Sequence, residues 1–135
     1  YKFDLEKFTN VAGKTGIYIQ YAQVRANKLI STLNVGEQSI SETSSKLDSL
    51  DRKLIIALAN IEFYLELSVK NSEPHHLANY LYEISNAFNA FYQASNIKNI
   101  EDKIKKNQKI LITRLFIKYS HLVMSCLGIK PVEKM

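Results

Sequence analysis

Glu73-Pro74-His75-His76-Leu77-Ala78-Asn79-Tyr80-Leu81-Tyr82-Glu83-Ile84, running on through Phe88 and Phe91 to Tyr92, places apolar side chains at Leu77, Tyr80, Leu81, Ile84, Ala87, Phe88 and Phe91. Spacings of three and four residues, sustained over about four turns, are the mark of one buried helix face. Pro74 stands in the first turn, where its missing N–H removes no bond. Ser72 or Glu73 is placed to cap the free amides. Asn79, Tyr82, Glu83, Asn86, Asn89 and Gln93 occupy the other side, which the pattern turns toward water. A central helix is expected here, with the other elements packed round it.

Toward the N-terminus, Leu47, Leu50, Leu54, Leu58, Ile61, Leu65 and Val69 keep the same rhythm and predict a second helix over about 47–69. Asn71 to Pro74 separates the two. Residues 34–46, with Gly36 and five serines or threonines, read as a polar loop. A first helix is predicted over 16–33, its core side formed by Ile19, Ala22, Ala26, Leu29, Ile30 and Leu33. Toward the C-terminus, residues 95–99 end the central helix and a last helix is predicted over about 100–127. Its inner side reads as Leu111, Ile112, Leu115, Phe116, Tyr119, Leu122, Val123 and Leu127, with Gly128 as the stop and Pro131 beyond it. No alternating strand pattern or internal repeat competes. The fold class is all-α: an antiparallel bundle of about four long helices.

A chain of 135 residues, 46% of them apolar, makes one domain, residues 1–135, that can bury about two thirds of its unfolded surface. Four glycines and two prolines are too few for many short strands. The single cysteine, Cys126, cannot form an internal disulfide, which points to a cytoplasmic setting; it falls on an apolar side of the last helix, as an inert core thiol would. No stretch is long and apolar enough to span a membrane, and Tyr1-Lys2-Phe3-Asp4 has no signal-peptide layout. The missing initiator methionine suggests a piece of a longer protein, with residues 1–14 as a lead-in from a preceding domain.

The formal charge is +5, and it is unevenly spread. Residues 1–97 carry nine Lys or Arg against ten Asp or Glu. Residues 98–118 carry seven cations (Lys98, Lys103, Lys105, Lys106, Lys109, Arg114 and Lys118) against Glu101 and Asp102. A polyanion-binding surface requires such a concentration, though a solvated helix face shows it too. The first helix has a second stripe about 100° from its core side, formed by Tyr18, Tyr21, Arg25, Lys28 and Thr32. Tyrosines interleaved with cations suit unpaired nucleotides, because rings stack on bases while cations hold phosphates. Rings that merely pad the flank of the core would look the same.

No catalytic constellation stands out. Gly13-Lys14-Thr15 resembles part of a phosphate loop, but Phe8 stands where that motif needs a glycine, and no buried strand leads in. His75 and His76 are adjacent, so helical geometry points them about 100° apart rather than onto one metal. His121 is isolated. No cofactor or metal is expected in this chain.

Three separated stretches together resemble one family. Thr15-Gly16-Ile17-Tyr18-Ile19-Gln20-Tyr21-Ala22-Gln23-Val24-Arg25 resembles the opening of the C-terminal domain of arginyl-tRNA synthetases. Glu73-Pro74-His75, Leu77 to Glu83, and Phe91-Tyr92 are similar to its central helix. Arg114-Leu115 and Leu127-Gly128-Ile129-Lys130-Pro131-Val132-Glu133-Lys134-Met135 resemble its last helix and tail. The likeness covers nearly the whole chain in order and spacing.

It implies a helical-bundle anticodon-binding (DALR) domain of a class I synthetase, whose parent enzyme joins arginine to tRNA(Arg) at the expense of ATP. The catalytic domain would belong to the same chain, and this piece alone would not aminoacylate. The expected partner is the tRNA(Arg) anticodon loop, with no membrane or DNA partner. By the same likeness, the anticodon-facing positions are Tyr21, Arg25, Tyr92, Asn96 and the Met135 end. From their charge, Arg25, Lys28 and part of the 103–109 run, Lys103 and Lys106 among them, are expected on phosphate. Ile17 replaces the usual proline of the first stretch. The Phe-Pro-Glu that commonly interrupts the second helix is absent at Ile61-Glu62-Phe63, so a straight helix is expected there. The related module of cysteinyl synthetases and a basic protein-interaction bundle are the competing readings.

Overall fold

The computed structural model describes residues 14–33, 46–73 and 75–128. Among these residues five α-helices follow one another: α1 (Lys14–Leu33), α2 (Ser49–Ala59), α3 (Ile61–Asn71), α4 (His75–Ser95) and α5 (Lys103–Cys126), with a short 3-10 turn at Ile97–Asn99. No strand occurs among the described residues, so the all-α bundle is as the pattern foretold. The expectations for residues 34–45, Pro74, the 1–13 part of the lead-in and the Met135 end lie outside the described residues.

The central helix is α4, which packs against each of the other four helices. Leu77, Tyr80, Leu81, Ile84, Phe88 and Phe91 are all buried, and Ala87 is partly so. Against them stand Ile19, Ala22, Ala26 and Leu29 of α1, where two alanines let the helices approach closely. On the other flank the Phe88 and Phe116 rings lie stacked, 4.4 Å apart and 8° from parallel. Full burial of a phenylalanine is worth about 1.5–3 kcal/mol, so this pair is a large part of the α4–α5 contact.

Helix ends follow local chemistry. Asp48 caps α2: its Oδ1 accepts from the Asp51 N–H at 2.8 Å, and Asp51 Oδ2 accepts from the Asp48 N–H at 3.3 Å. This is a reciprocal capping box. Asp102 caps α5 by accepting from the N–H groups of Ile104 and Lys105. Ser72 closes α3 in the left-handed region at φ 53°. Gly128 ends the last helix with φ 74°, a conformation open to it at no steric cost.

The expected straight second helix is broken. Asn60 (φ −75°, ψ 5°) sits between α2 and α3, its N–H donating back to the Ala57 carbonyl at 3.3 Å. No proline is needed. The Tyr80 hydroxyl reaches from α4 and donates to the Leu58 carbonyl at 2.9 Å, and a side chain inserted into the ladder is a recognised cause of a kink. Burial, followed by the neighbouring Tyr119, pushes the Tyr80 phenol far above its ordinary pKa. Tyr80→Phe should therefore cost about 1–3 kcal/mol by leaving that buried carbonyl without its donor. The check is the denaturation midpoint, and an unmoved midpoint would show that the hydroxyl is idle.

Four apolar positions differ from expectation. The break changes the phase of α3, and Val69 points into solvent. On α5, Leu111 and Leu122 are exposed, because Thr113 and Ser120 take inner positions. Their hydroxyls donate back to the Lys109 and Ile117 carbonyls, which makes burial tolerable. Cys126, at the end of α5, is exposed rather than a core thiol.

Candidate nucleic-acid interface

With Ile19, Ala22, Ala26 and Leu29 turned inward, α1 must carry Tyr18, Tyr21, Arg25 and Lys28 along its outer edge. Tyr21 is 46% exposed and Tyr18 41%. Arg25 lies between two rings from different helices. Its guanidinium carbon is 5.8 Å from the Tyr21 centroid and 5.3 Å from that of Tyr92 on α4. Each such contact contributes about 0.5–1 kcal/mol at an exposed site. The guanidinium Nη1 also donates to Asn89 Oδ1 at 3.0 Å. Asn89 Nδ2 in turn donates to the Tyr18 carbonyl at 3.2 Å, tying α1 to α4 at this level. Asn89 is thus buried at the helix contact, where periodicity had turned it toward water.

The structure therefore brings Tyr21, Arg25 and Tyr92 together. Tyr92 is half-buried, with Phe88 at 6.1 Å on its inner side. One turn beyond, exposed Asn96 ends α4 in the left-handed region at φ 45°, a conformation asparagine accepts more readily than most residues. Its Oδ1 accepts from Asn99 Nδ2 at 3.0 Å. Lys28 is exposed, one turn along α1 from Arg25, and Lys103 and Lys106 lie in the opening turns of α5. None of these three lysines forms an ion pair among the described residues. Among the described residues no ion pair or ring contact joins Lys103 or Lys106 to the three-residue cluster. Met135 lies outside the described residues.

Lys109 does not belong to the basic surface. Its side chain is 2% exposed, with Nζ at 2.5 Å from Asp51 Oδ1 and 2.6 Å from Asp48 Oδ2. Burial alone would lower its pKa, but the hydrogen bonds to Asp48 and Asp51 outweigh burial and hold it above the ordinary value. Burial likewise raises that of Asp48, yet the Lys109 hydrogen bond and the Asp51 N–H bring it below the usual carboxylate value. These residues lock the start of α2 to α5. Sequence reasoning passed over both Asp48-Ser49-Leu50-Asp51, a capping-box spacing, and the register that places Lys109 one turn before Thr113 and two before Phe116. Near the far end of α4, His75 and His76 do not diverge: both Nε2 atoms approach Glu73.

The helical bundle thus presents Tyr21, Arg25 and Tyr92 side by side on its surface. A family profile described as DALR anticodon binding domain matches residues 19–135, and the chain belongs to that family. Among curated relatives, the chain is 35% identical over 135 residues to an arginine–tRNA ligase of Actinobacillus succinogenes, covering all of this chain and 23% of that protein. It is 30% identical over 141 residues to the arginine–tRNA ligase of Francisella tularensis subsp. novicida, covering 24% of it. The chain thus spans about a quarter of these relatives' length. Among solved structures, the arginyl-tRNA synthetase of Thermus thermophilus superposes with a TM-score of 0.80 at 22% identity, over 91% of this chain and 21% of that one, a likeness of fold. That of Plasmodium falciparum gives 0.73 at 27% identity, over 100% of this chain and 24% of that one.

Proposed function

We propose that this chain is the tRNA anticodon-binding domain of an arginine–tRNA ligase, holding tRNA(Arg) for aminoacylation by a catalytic domain elsewhere in the same polypeptide. ATP and arginine would be handled by that domain, in the cytoplasm; no residue here is assigned to either. The observation that carries the reading is the placement of Arg25 between Tyr21 and Tyr92, from two helices, with both rings still partly open. Splayed anticodon-loop bases would stack on the free ring faces, at about 1–3 kcal/mol each. Lys28, Lys103 and Lys106 would contact phosphates, which gives affinity but little sequence choice. Asn96 and the Met135 end would read base edges, which single-stranded bases leave accessible.

Filter binding of tRNA(Arg) and an unrelated tRNA at two salt concentrations tests this. Retention should be selective for tRNA(Arg). With three lysines on phosphate, affinity should fall about twentyfold between 50 and 200 mM salt. Equal, salt-sensitive retention of both tRNAs would instead describe a basic bundle for acidic partners and would defeat the proposal.

A further inference from the structure

We propose that Glu73, His75 and His76 form a zinc site at the α3–α4 corner, separate from the tyrosine shelf and independent of the function proposed above. Glu73 Oε2 lies 3.5 Å from His75 Nε2 and 3.2 Å from His76 Nε2, so both imidazoles aim at the same carboxylate oxygen. One ligand atom from each of the three side chains lies within 4.8 Å of the others. A tetrahedral zinc with bonds of 2.0–2.1 Å has ligand–ligand edges of about 3.4 Å, close to both measured separations. The two imidazole rings lie close together and tilted, 4.1 Å between centroids and 38° from parallel.

Two features explain how adjacent histidines come to share a focus. His75 and His76 are the first two residues of α4, so neither ring has a preceding helical turn packed against it to hold it apart from the other. Glu73 stands outside the helix, and its backbone is fixed by the corner. Its N–H donates to the Ser68 carbonyl at 3.1 Å, and the Ser72 N–H donates to that of Val69 at 3.4 Å. This is a Schellman closure with serine in the left-handed position, a conformation glycine adopts more cheaply. The carboxylate is thereby held in front of the two rings.

The donor set selects the metal. Two imidazole nitrogens and one carboxylate oxygen suit zinc and its neighbours in the first transition row, whereas magnesium and calcium prefer oxygen alone. All three side chains retain solvent access, so water can take the fourth position. The amino end of α4 carries the positive pole of the helix and opposes a cation. Glu73 must offset that pole as well as coordinate, so its charge is expected to matter as much as either histidine.

The test titrates the full chain with zinc by calorimetry, and with cobalt(II) as a visible-absorption probe. Expected are one-to-one uptake, a tetrahedral cobalt band, and no competition from magnesium. Glu73→Gln and His76→Gln should each weaken zinc binding by about tenfold or more, while circular dichroism reports a retained helical fold. His121→Gln and Cys126→Ser should bind as the unmodified chain does. Wild-type zinc affinity in both Glu73→Gln and His76→Gln, no uptake by the unmodified chain, or loss confined to the His121 or Cys126 variant would each overturn the proposal.

Discussion

Replacing Lys109 with methionine should lower the unfolding free energy by about 3–5 kcal/mol, seen as an earlier urea midpoint with an unchanged slope. The ammonium is itself buried, but the larger consequence falls on its partner. Asp51 is 1% exposed, and without Lys109 Nζ its carboxylate loses the cation that compensates its removal from water. The Phe91 ring, 5.3 Å from Nζ, cannot replace that charge. Asp48 matters less because its side chain is half open to solvent. A double variant, Lys109→Met with Asp51→Leu, should recover most of the loss, since matched apolar groups often replace a buried ion pair without penalty. A single variant that shifts stability by under about 1 kcal/mol would show that Asp51 finds water or a proton instead.

The same ion cluster sets a pH dependence. Asp48 titrates below its ordinary 3.8 when folded, so its contribution is present above that value and is lost as pH falls through the lowered one. Lys109 titrates above 10.5, so its contribution is complete below that value and is lost as pH rises through the raised one. Between the two, this lock should be indifferent to pH.

In a full-length ligase carrying this domain, Tyr92→Ala and Tyr21→Ala should each raise KM for tRNA(Arg) by roughly five- to hundredfold, the equivalent of one lost base stack. The constants for arginine and ATP, measured at saturating tRNA, should not move. That split separates a lost RNA contact from a damaged fold, which would depress kcat as well. Tyr92 should show the larger effect, because its inner side packs on Phe88 and its ring is held more firmly than that of Tyr21. Unaltered tRNA kinetics in both variants would remove the rings from the interface.

The central helix was legible because one periodic face over 77–91 meets neighbours all round it, leaving its apolar pattern little alternative use. Periodicity marked Tyr21 on the outer stripe of its helix, whereas Tyr92 was singled out only by the family resemblance; the structure brings the two together. What escaped the sequence was decided between helices. The break at Asn60 has no proline or glycine to announce it, and depends on a hydroxyl donated from Tyr80, twenty residues away. Lys109 looked like one more solvated cation because its partners precede it by 58 and 61 residues. Asn89 was assigned to water by side-chain type, yet an amide can donate and accept at once, and here it does both across a helix contact.

The clamp on Arg25 bears on what docking must spend. A free arginine side chain samples many rotamers and gives up about 2 kcal/mol of that freedom when a partner fixes it. Here folding has already fixed it, through one amide and two rings. An incoming strand meets a preorganised surface, and little of its contact energy is consumed in arranging the receptor.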